Sequence, residues 1–250
     1  MARLLRILWR IGVAVLLTIL TQLGGVAYVI SLFFRRRLLA FGLLYTALSI
    51  TALIVAPHFG RTALPCLGDR DLKVASPLYC ALNRQYVSPP VKDLLSDLAS
   101  TMTDAHPNTQ TLVLDANFPF LDGFPLLPHL SHDDGDKVDL AFFYADETGY
   151  LRGAMRSPIG YFAFEDGPTD CPKVWPSLRW DMGVVQPLWA DYALDLPRMR
   201  TVMTALTQDA RVGKVFLEPH LTDQLGASHP KLRFQGCRAA RHDDHIHLQL

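Results

Sequence analysis

No acidic residue occurs in the first 60 positions, which carry six arginines and no other formal charge. The whole chain of 250 residues is formally neutral, so the remaining 190 hold 18 basic and 24 acidic groups, a net of about −6. That division excludes a single uniform soluble domain. It also argues against a nucleic-acid partner, because phosphate contacts need clustered Lys and Arg and the larger part is acidic. Cysteine is scarce and absent from the first 60 positions: Cys66, Cys80, Cys171 and Cys237 all follow them. None shows the paired spacing of a zinc ribbon. No internal repeat or low-complexity tract is present, and no feature specifies an oligomeric state.

Two long uncharged runs stand out, Ile11 to Phe34 and Leu38 to Phe59, separated by Arg35-Arg36-Arg37. As a helix the first would span about 36 Å at 1.5 Å per residue, enough to cross a bilayer with some tilt. The second ends near Pro57 and Gly60, where a helix is expected to stop. The expectation is a transmembrane hairpin over about 11–34 and 38–59, forming a membrane module at 1–60. A cleaved signal peptide fits less well, since its apolar region is usually about 7–15 residues. The triple-Arg turn favours a cytoplasmic turn with the remainder of the chain outside, whereas Arg3, Arg6 and Arg10 argue the other way. Four cysteines confined to the later part suit two disulfides in an oxidising compartment. Three pairings are open; Cys66–Cys80 with Cys171–Cys237 is the one we expect, against four buried free thiols.

Residues 61–109 read as a juxtamembrane connection followed by a helix that opens at Pro89-Pro90, with Val91, Leu94, Leu95, Leu98 and Met102 on one face. Thr111 to Leu114 reads as a strand, 116–137 as loop, and Val138 to Tyr144 as an apolar strand. A second irregular region, about 152–190, holds five prolines and three tryptophans. Met199, Val202, Met203 and Leu206 mark another helix, Val215 to Leu217 a strand, and His245 to Leu250 a strictly alternating terminal strand. The fold class expected is α+β, a small antiparallel sheet with flanking helices and long loops.

Chemistry concentrates in two places. In the terminal strand His245 and His247 project from one face while Ile246, Leu248 and Leu250 pack on the other. Upstream, His132 precedes Asp139 by seven residues, and Asp139 lies between Val138 and Leu140. A carboxylate there is costly to bury unless a cation meets it. Zinc takes His nitrogen and carboxylate oxygen and keeps a fourth position for water when catalytic. His132, Asp139 and one terminal histidine make such a site, leaving the other terminal histidine for proton transfer. Asp133-Asp134-Gly135-Asp136 lacks the alternation and closing Glu of a calcium loop.

The His132-x6-Asp139 pair with Gly135 between, followed by His242-Asp243-Asp244-His245-Ile246-His247, resembles the penicillin-insensitive murein endopeptidases. These are zinc peptidases of the group that also contains D-Ala-D-Ala carboxypeptidases and dipeptidases. The stretch Asp209 to His220 looks like their helix-to-strand passage, and the resemblance covers roughly residues 110–250. It implies that His132, Asp139 and His247 bind Zn2+, that His245 acts in catalysis and that His242 assists. Asp243 or Asp244 would orient an imidazole. His129 sits three residues before His132 and could line the site; Asp181, in Arg179-Trp180-Asp181, is a further candidate.

The implied function is zinc-dependent hydrolysis of peptide cross-links of peptidoglycan, by a domain held on the bacterial inner membrane and facing the periplasm. The family is exported and soluble, so the membrane module is a departure from it, as are the charged loop residues Asp133, Asp134, Asp136 and Lys137. Two alternatives stay open: a non-catalytic membrane-tethered cell-wall-binding module, and a zinc hydrolase of another small amide or ester.

Overall fold

The structure, a computed structural model, describes residues 1–250. It opens with three helices, α1 (Ala2–Thr21), α2 (Gly24–Ser31) and α3 (Arg37–Val55), the last extended by a 3-10 turn at Ala56–Phe59. Ala2–Thr21 and Arg37–Phe59 are each long and apolar enough to cross a membrane. The simple hairpin over 11–34 and 38–59 is corrected. The first helix starts nine residues earlier, ends where Gln22 takes a φ of 64°, and α2 folds back onto it. Glycine permits this reversal: a Cβ on Gly25 would lie 1.9 Å from Thr18 Oγ1, and one on Gly24 2.6 Å from Thr21 Oγ1. Thr21 Oγ1 also accepts the Gly24 amide at 2.8 Å, so the first N–H after the reversal is satisfied. Hydropathy registers the lack of charge in this run and is blind to the close backbone approach that splits it.

The reversal brings both arginine groups to one end of the bundle, where Arg6, Arg10 and Arg37 line a common groove. The opposite end seats on the rest of the protein. Gln22 Nε2 donates to the Phe120 carbonyl at 2.7 Å while the Phe120 amide donates to Gln22 Oε1 at 2.9 Å. Tyr45 Oη donates to the Ala81 carbonyl at 2.6 Å, and Asn83 Nδ2 donates to Tyr45 Oη at 2.9 Å. Ala52 and Ala56 pack on the buried ring of Tyr86, and Phe59 meets Phe120 edge to face.

The following residues form β1 (Thr62–Ala63), β2 (Leu72–Val74), α4 (Pro77–Ala81), β3 (Tyr86–Val87), α5 (Pro89–Ala105), β4 (Thr111–Val113) and β5 (Lys137–Ala141). Then come β6 (Tyr144–Asp146), β7 (Gly149–Tyr150), β8 (Ala193–Leu194), α6 (Leu196–Gln208), β9 (Lys214–Phe216), α7 (Pro219–Leu225), β10 (Leu232–Arg233) and β11 (His245–Gln249). The main sheet has the order β10-β9-β11-β5-β4-β2, beside a pair β1-β3 and a small sheet β7-β6-β8. The architecture is α+β, but the sheet is mixed. Its inner pairs are antiparallel, while β2-β4 and β10-β9 are parallel. Both parallel pairs are joined by helical crossovers, as parallel strands require. The segment 61–109 is therefore more than a connection, because it supplies an edge strand and α5.

Helices α5 and α6 cover one face of the sheet. Pro89 opens α5, and Val91, Leu94, Leu95, Leu98 and Met102 are all buried. The Asp195 carboxylate accepts the Arg198 amide at 3.0 Å and caps α6, worth about 1 kcal/mol. Beneath them lie Val138, Leu140, Ile246 and Leu248. Alternation then places Asp139, His245 and His247 on the other face. The expected strand over 138–144 breaks after Ala141, and Tyr144 restarts it in the small sheet.

The disulfides are Cys66–Cys80 and Cys171–Cys237, the expected pairing. Closing loops with separations of 14 and 66 residues contributes about 3 and about 4 kcal/mol by the chain-entropy model. The second ties the long irregular region to the chain just before β11. Replacing Ile246 with Ala is expected to remove about 2–5 kcal/mol of stability. Thermal unfolding of the detergent-solubilised full chain, with and without the substitution, measures it.

Candidate metal centre

Strand register builds the centre. Antiparallel pairing sets His247 of β11 directly opposite Asp139 of β5, joining residues 108 positions apart. A slip of β11 by one residue would turn His247 into the core and away from Asp139. His132 arrives from the loop between β4 and β5, which Asn117 pins from inside. Asn117 Nδ2 donates to the Lys137 carbonyl at 2.8 Å, and its Oδ1 accepts the Gly135 amide at 3.0 Å. Gly135 has a φ of +90°, and a Cβ there would sit 2.7 Å from the Arg61 guanidinium carbon, so a side chain would strain both backbone and neighbour.

Three ligand atoms converge. His132 Nε2 lies 3.1 Å from His247 Nδ1 and 3.3 Å from Asp139 Oδ1, and His247 Nδ1 lies 2.7 Å from the same oxygen. Ligands held about 2.0–2.1 Å from a tetrahedral ion are separated by roughly 3.3 Å, so the spacing suits a metal. Outer contacts support this. The His132 Nδ1–H donates to the Ala116 carbonyl at 2.8 Å, which leaves the Nε2 lone pair pointing inward. Gln249 Nε2 donates to the far nitrogen of His247 at 3.0 Å, which places that ring's proton on Nδ1 toward Asp139, so ligation at Nδ1 needs the Gln249 amide turned to present its oxygen. Tyr161 Oη donates to Asp139 Oδ2 at 2.6 Å and fixes the carboxylate plane.

A second group, His129, Asp139 and His245, lies close enough to share an ion as well. Its nitrogens are differently engaged. His129 Nδ1 is 2.9 Å from Asp115 Oδ2, whose carboxylate accepts both bonds of Arg84 Nη1 at 2.9 Å. His245 Nδ1 bonds Asp244, whose other oxygen accepts the Phe162 amide at 2.6 Å. The remaining nitrogen, His245 Nε2, is buried without a hydrogen-bond partner, as is His242 Nδ1. The rings of His242 and His245 are 5.0 Å apart. Both groups could hold a metal ion through the shared Asp139, and His242 lies beside them.

Burial opposes ionisation of Asp139, yet His132, His245, His129 and His247 around it hold it well below the usual carboxylate range. Burial likewise opposes charge on His245, and Asp139 and Asp244 overcome it, raising the imidazole to about 9. For His247 burial wins and lowers it to about 4. Burial and the neighbouring imidazoles keep His242 well below the usual histidine range. Asp139 therefore demands nearby positive charge, which imidazolium protons or a divalent cation can meet. The donor set fits a cation.

Several participants carry no sequence signal. Tyr161 comes from the irregular region, and Asp115 and Arg84 have no spacing relation to the histidines. His129 does line the site. Of the two aspartates proposed to orient an imidazole, Asp244 does so, while Asp243 accepts from Arg241 Nε at 2.9 Å instead. Asp181 is corrected: it is exposed and accepts only the Gly183 amide, because the loop turns its neighbour Trp180 toward the site. Trp180, Leu78, Leu82, Phe162 and Phe164 wall a cavity of about 230 Å³ that ends at His129, Asp244 and His245. No protein-family model matches the chain, and no curated protein is similar enough to match it.

Asp139→Asn and His247→Ala are expected to abolish stoichiometric binding of a divalent metal. Tyr161→Phe should weaken it by roughly 10–100-fold, the usual effect of losing an outer contact to a ligand. Equilibrium dialysis with elemental analysis measures both, and unchanged binding in Asp139→Asn would remove the ligand assignment.

Proposed function

We propose that the protein is a membrane-anchored zinc metallopeptidase acting on peptide cross-links of peptidoglycan or on a related D-amino-acid peptide. The observation that carries this reading is the meeting of His132 Nε2, Asp139 Oδ1 and His247 Nδ1 beside the unpartnered His245 Nε2. Two nitrogens and one carboxylate are a donor set suited to zinc with an open position. When bound, zinc supplies Lewis acidity and a water of lowered pKa. The Asp139 charge that keeps His245 protonated would be met by the cation, leaving His245 to take a proton at Nε2 and return it to the leaving amine, held in that orientation by Asp244. His242 stays neutral and can donate a hydrogen bond to the oxygen of the reacting carbonyl. Tyr161 keeps the Asp139 carboxylate from rotating.

The bundle supports an outward-facing domain. All six arginines lie at the end remote from the domain, which the positive-inside rule places in the cytoplasm, and two disulfides suit an oxidising exterior. That arrangement removes the conflict between the two arginine groups and fits a bacterial inner membrane with the domain in the periplasm. The peptidoglycan substrate rests on the resemblance of the His132 to Asp139 and His242 to His247 motifs. A binding module without turnover would have no use for a buried Asp244–His245 pair with a free Nε2.

The test is bound zinc in the purified full chain, with mass spectrometry of cross-linked muropeptides before and after chelation. One zinc with chelator-sensitive cleavage is expected. Zinc without cleavage of any peptide, amide or ester offered would favour the binding module, and no zinc after reconstitution would end the proposal. His245→Ala should retain zinc and lose turnover by about 10²–10⁴-fold. Full activity in that variant would remove His245 from the reaction.

A further inference from the structure

Helix α3 and its 3-10 extension, Arg37–Phe59, comprise 23 residues or about 35 Å, close to the ~30 Å of a bilayer's hydrocarbon core. Tyr45 stands eight residues along it, about 12 Å from Arg37. If Arg37 marks one interface, Tyr45 lies inside the hydrocarbon. Yet Tyr45 is hydrogen-bonded to Ala81 and Asn83, and Ala52 and Ala56 pack on Tyr86. From Tyr45 onward, α3 therefore runs along the domain rather than leading up to it, and that side of the domain shares its depth.

A surface at that depth must be free of unpaired charge. Two segments form it. Residues 74–83 contain no charged residue, and neither do 123–132 if histidine is taken as neutral. They expose Leu78, Leu127 and Leu130 at 48%, 44% and 57%. Of the charges that flank them, Arg84 is paired with Asp115, Asp122 with Arg61 and Asp133 with Lys137, while Lys73 has no ion pair and lies outside the cleft lining. The cavity above His245 opens between these same segments, with Leu78 and Leu82 from the first and Pro128 and His129 from the second. Its far walls are the apolar Ile159 and Trp180 together with Arg241, whose charge is met by Asp243.

We propose that this cleft opens into the half of the bilayer next to the domain and takes a membrane-borne ligand, a peptide carried on a lipid. The alkyl chain lies along Leu78, Leu82 and Trp180 while the peptide reaches His245. A peptide free in solution would leave these walls in contact with water or lipid. The placement in the bilayer stands on the helix geometry alone; cleavage of the ligand rests on the hydrolase reading.

The test uses the full chain in phosphatidylethanolamine and phosphatidylglycerol nanodiscs. Nitroxide labels on Leu78→Cys and Leu127→Cys are compared with one on Leu53→Cys, on the exposed face of α3, and one on Glu147→Cys, on the distant β6–β7 hairpin. Both cleft labels are expected to match Leu53→Cys in the ratio of oxygen to nickel-chelate collisions; a match to Glu147→Cys overturns the proposal. In the same discs, kcat/KM for an N-palmitoyl peptide should exceed that of its N-acetyl form by at least about tenfold, the effect of burying roughly two methylene groups. Leu78→Glu should reduce the ratio to near one without loss of zinc. Equal turnover of the two peptides by the unsubstituted protein overturns the lipid-linked ligand. If zinc-loaded protein cleaves neither peptide, the hydrolase reading fails. A diazirine-bearing palmitoyl peptide then decides the ligand, supporting it by labelling residues 78–82 and overturning it by labelling none of them.

Discussion

A carboxylate with no access to water organises the functional half of this protein. Asp139 is fully buried in the middle of a strand, where an unmet negative charge would cost several kcal/mol. Two histidines reach one of its oxygens, and Tyr161 with two further histidines surrounds the other. The loops that deliver those groups are held by their own buried bonds, such as Asn117 across the His132 loop. Irregular backbone is thus concentrated where positive charge or donors must be brought to one point. The same demand makes the place suitable for a cation.

The sheet separates stability from chemistry. Along β5 and β11 every second residue enters a core closed by α5 and α6, and the alternate residues enter the centre. The core fixes register, because a one-residue slip would expose Ile246 and Leu248 while burying histidines among methionines. Register in turn fixes the distance between His247 and Asp139. Precision at the site is therefore a by-product of packing on the opposite face, which is where rigid elements hold functional side chains best.

The helical module is likewise joined to the site through particular contacts. Gln22 clasps the backbone at Phe120, twelve residues before His132, and Arg61 supports the loop at both Asp122 and Gly135. Tyr45 and Asn83 hold the short α4 that walls the cleft. Bundle and domain pack as one unit at this end, so the cleft has a defined height relative to the apolar helices. That height gives the uncharged surface around Leu78 and Leu127 its physical sense.

Periodicity and charge were readable directly: the helices of α5 and α6, the terminal strand, the two apolar helices and the α+β class follow from local patterns that hold wherever the chain is placed. A metal site of His132, Asp139 and one terminal histidine was an expectation open to the sequence, because a carboxylate inside an apolar strand calls for a cation, while the choice of His247 came from the resemblance alone. Other features depended on approach between distant residues. The break between α1 and α2 comes from glycines meeting threonine hydroxyls, the parallel edge strands come from crossovers, and Asp244 rather than Asp243 orients His245 because only its oxygens face the ring and the Phe162 amide. Tyr161, Asp115 and Arg84 entered the centre through the tertiary structure alone. Local propensity and hydrophobic period are properties of neighbouring residues, whereas a hydrogen-bond network is chosen by which distant groups share a solvent-free space, and that is settled only when the chain has packed.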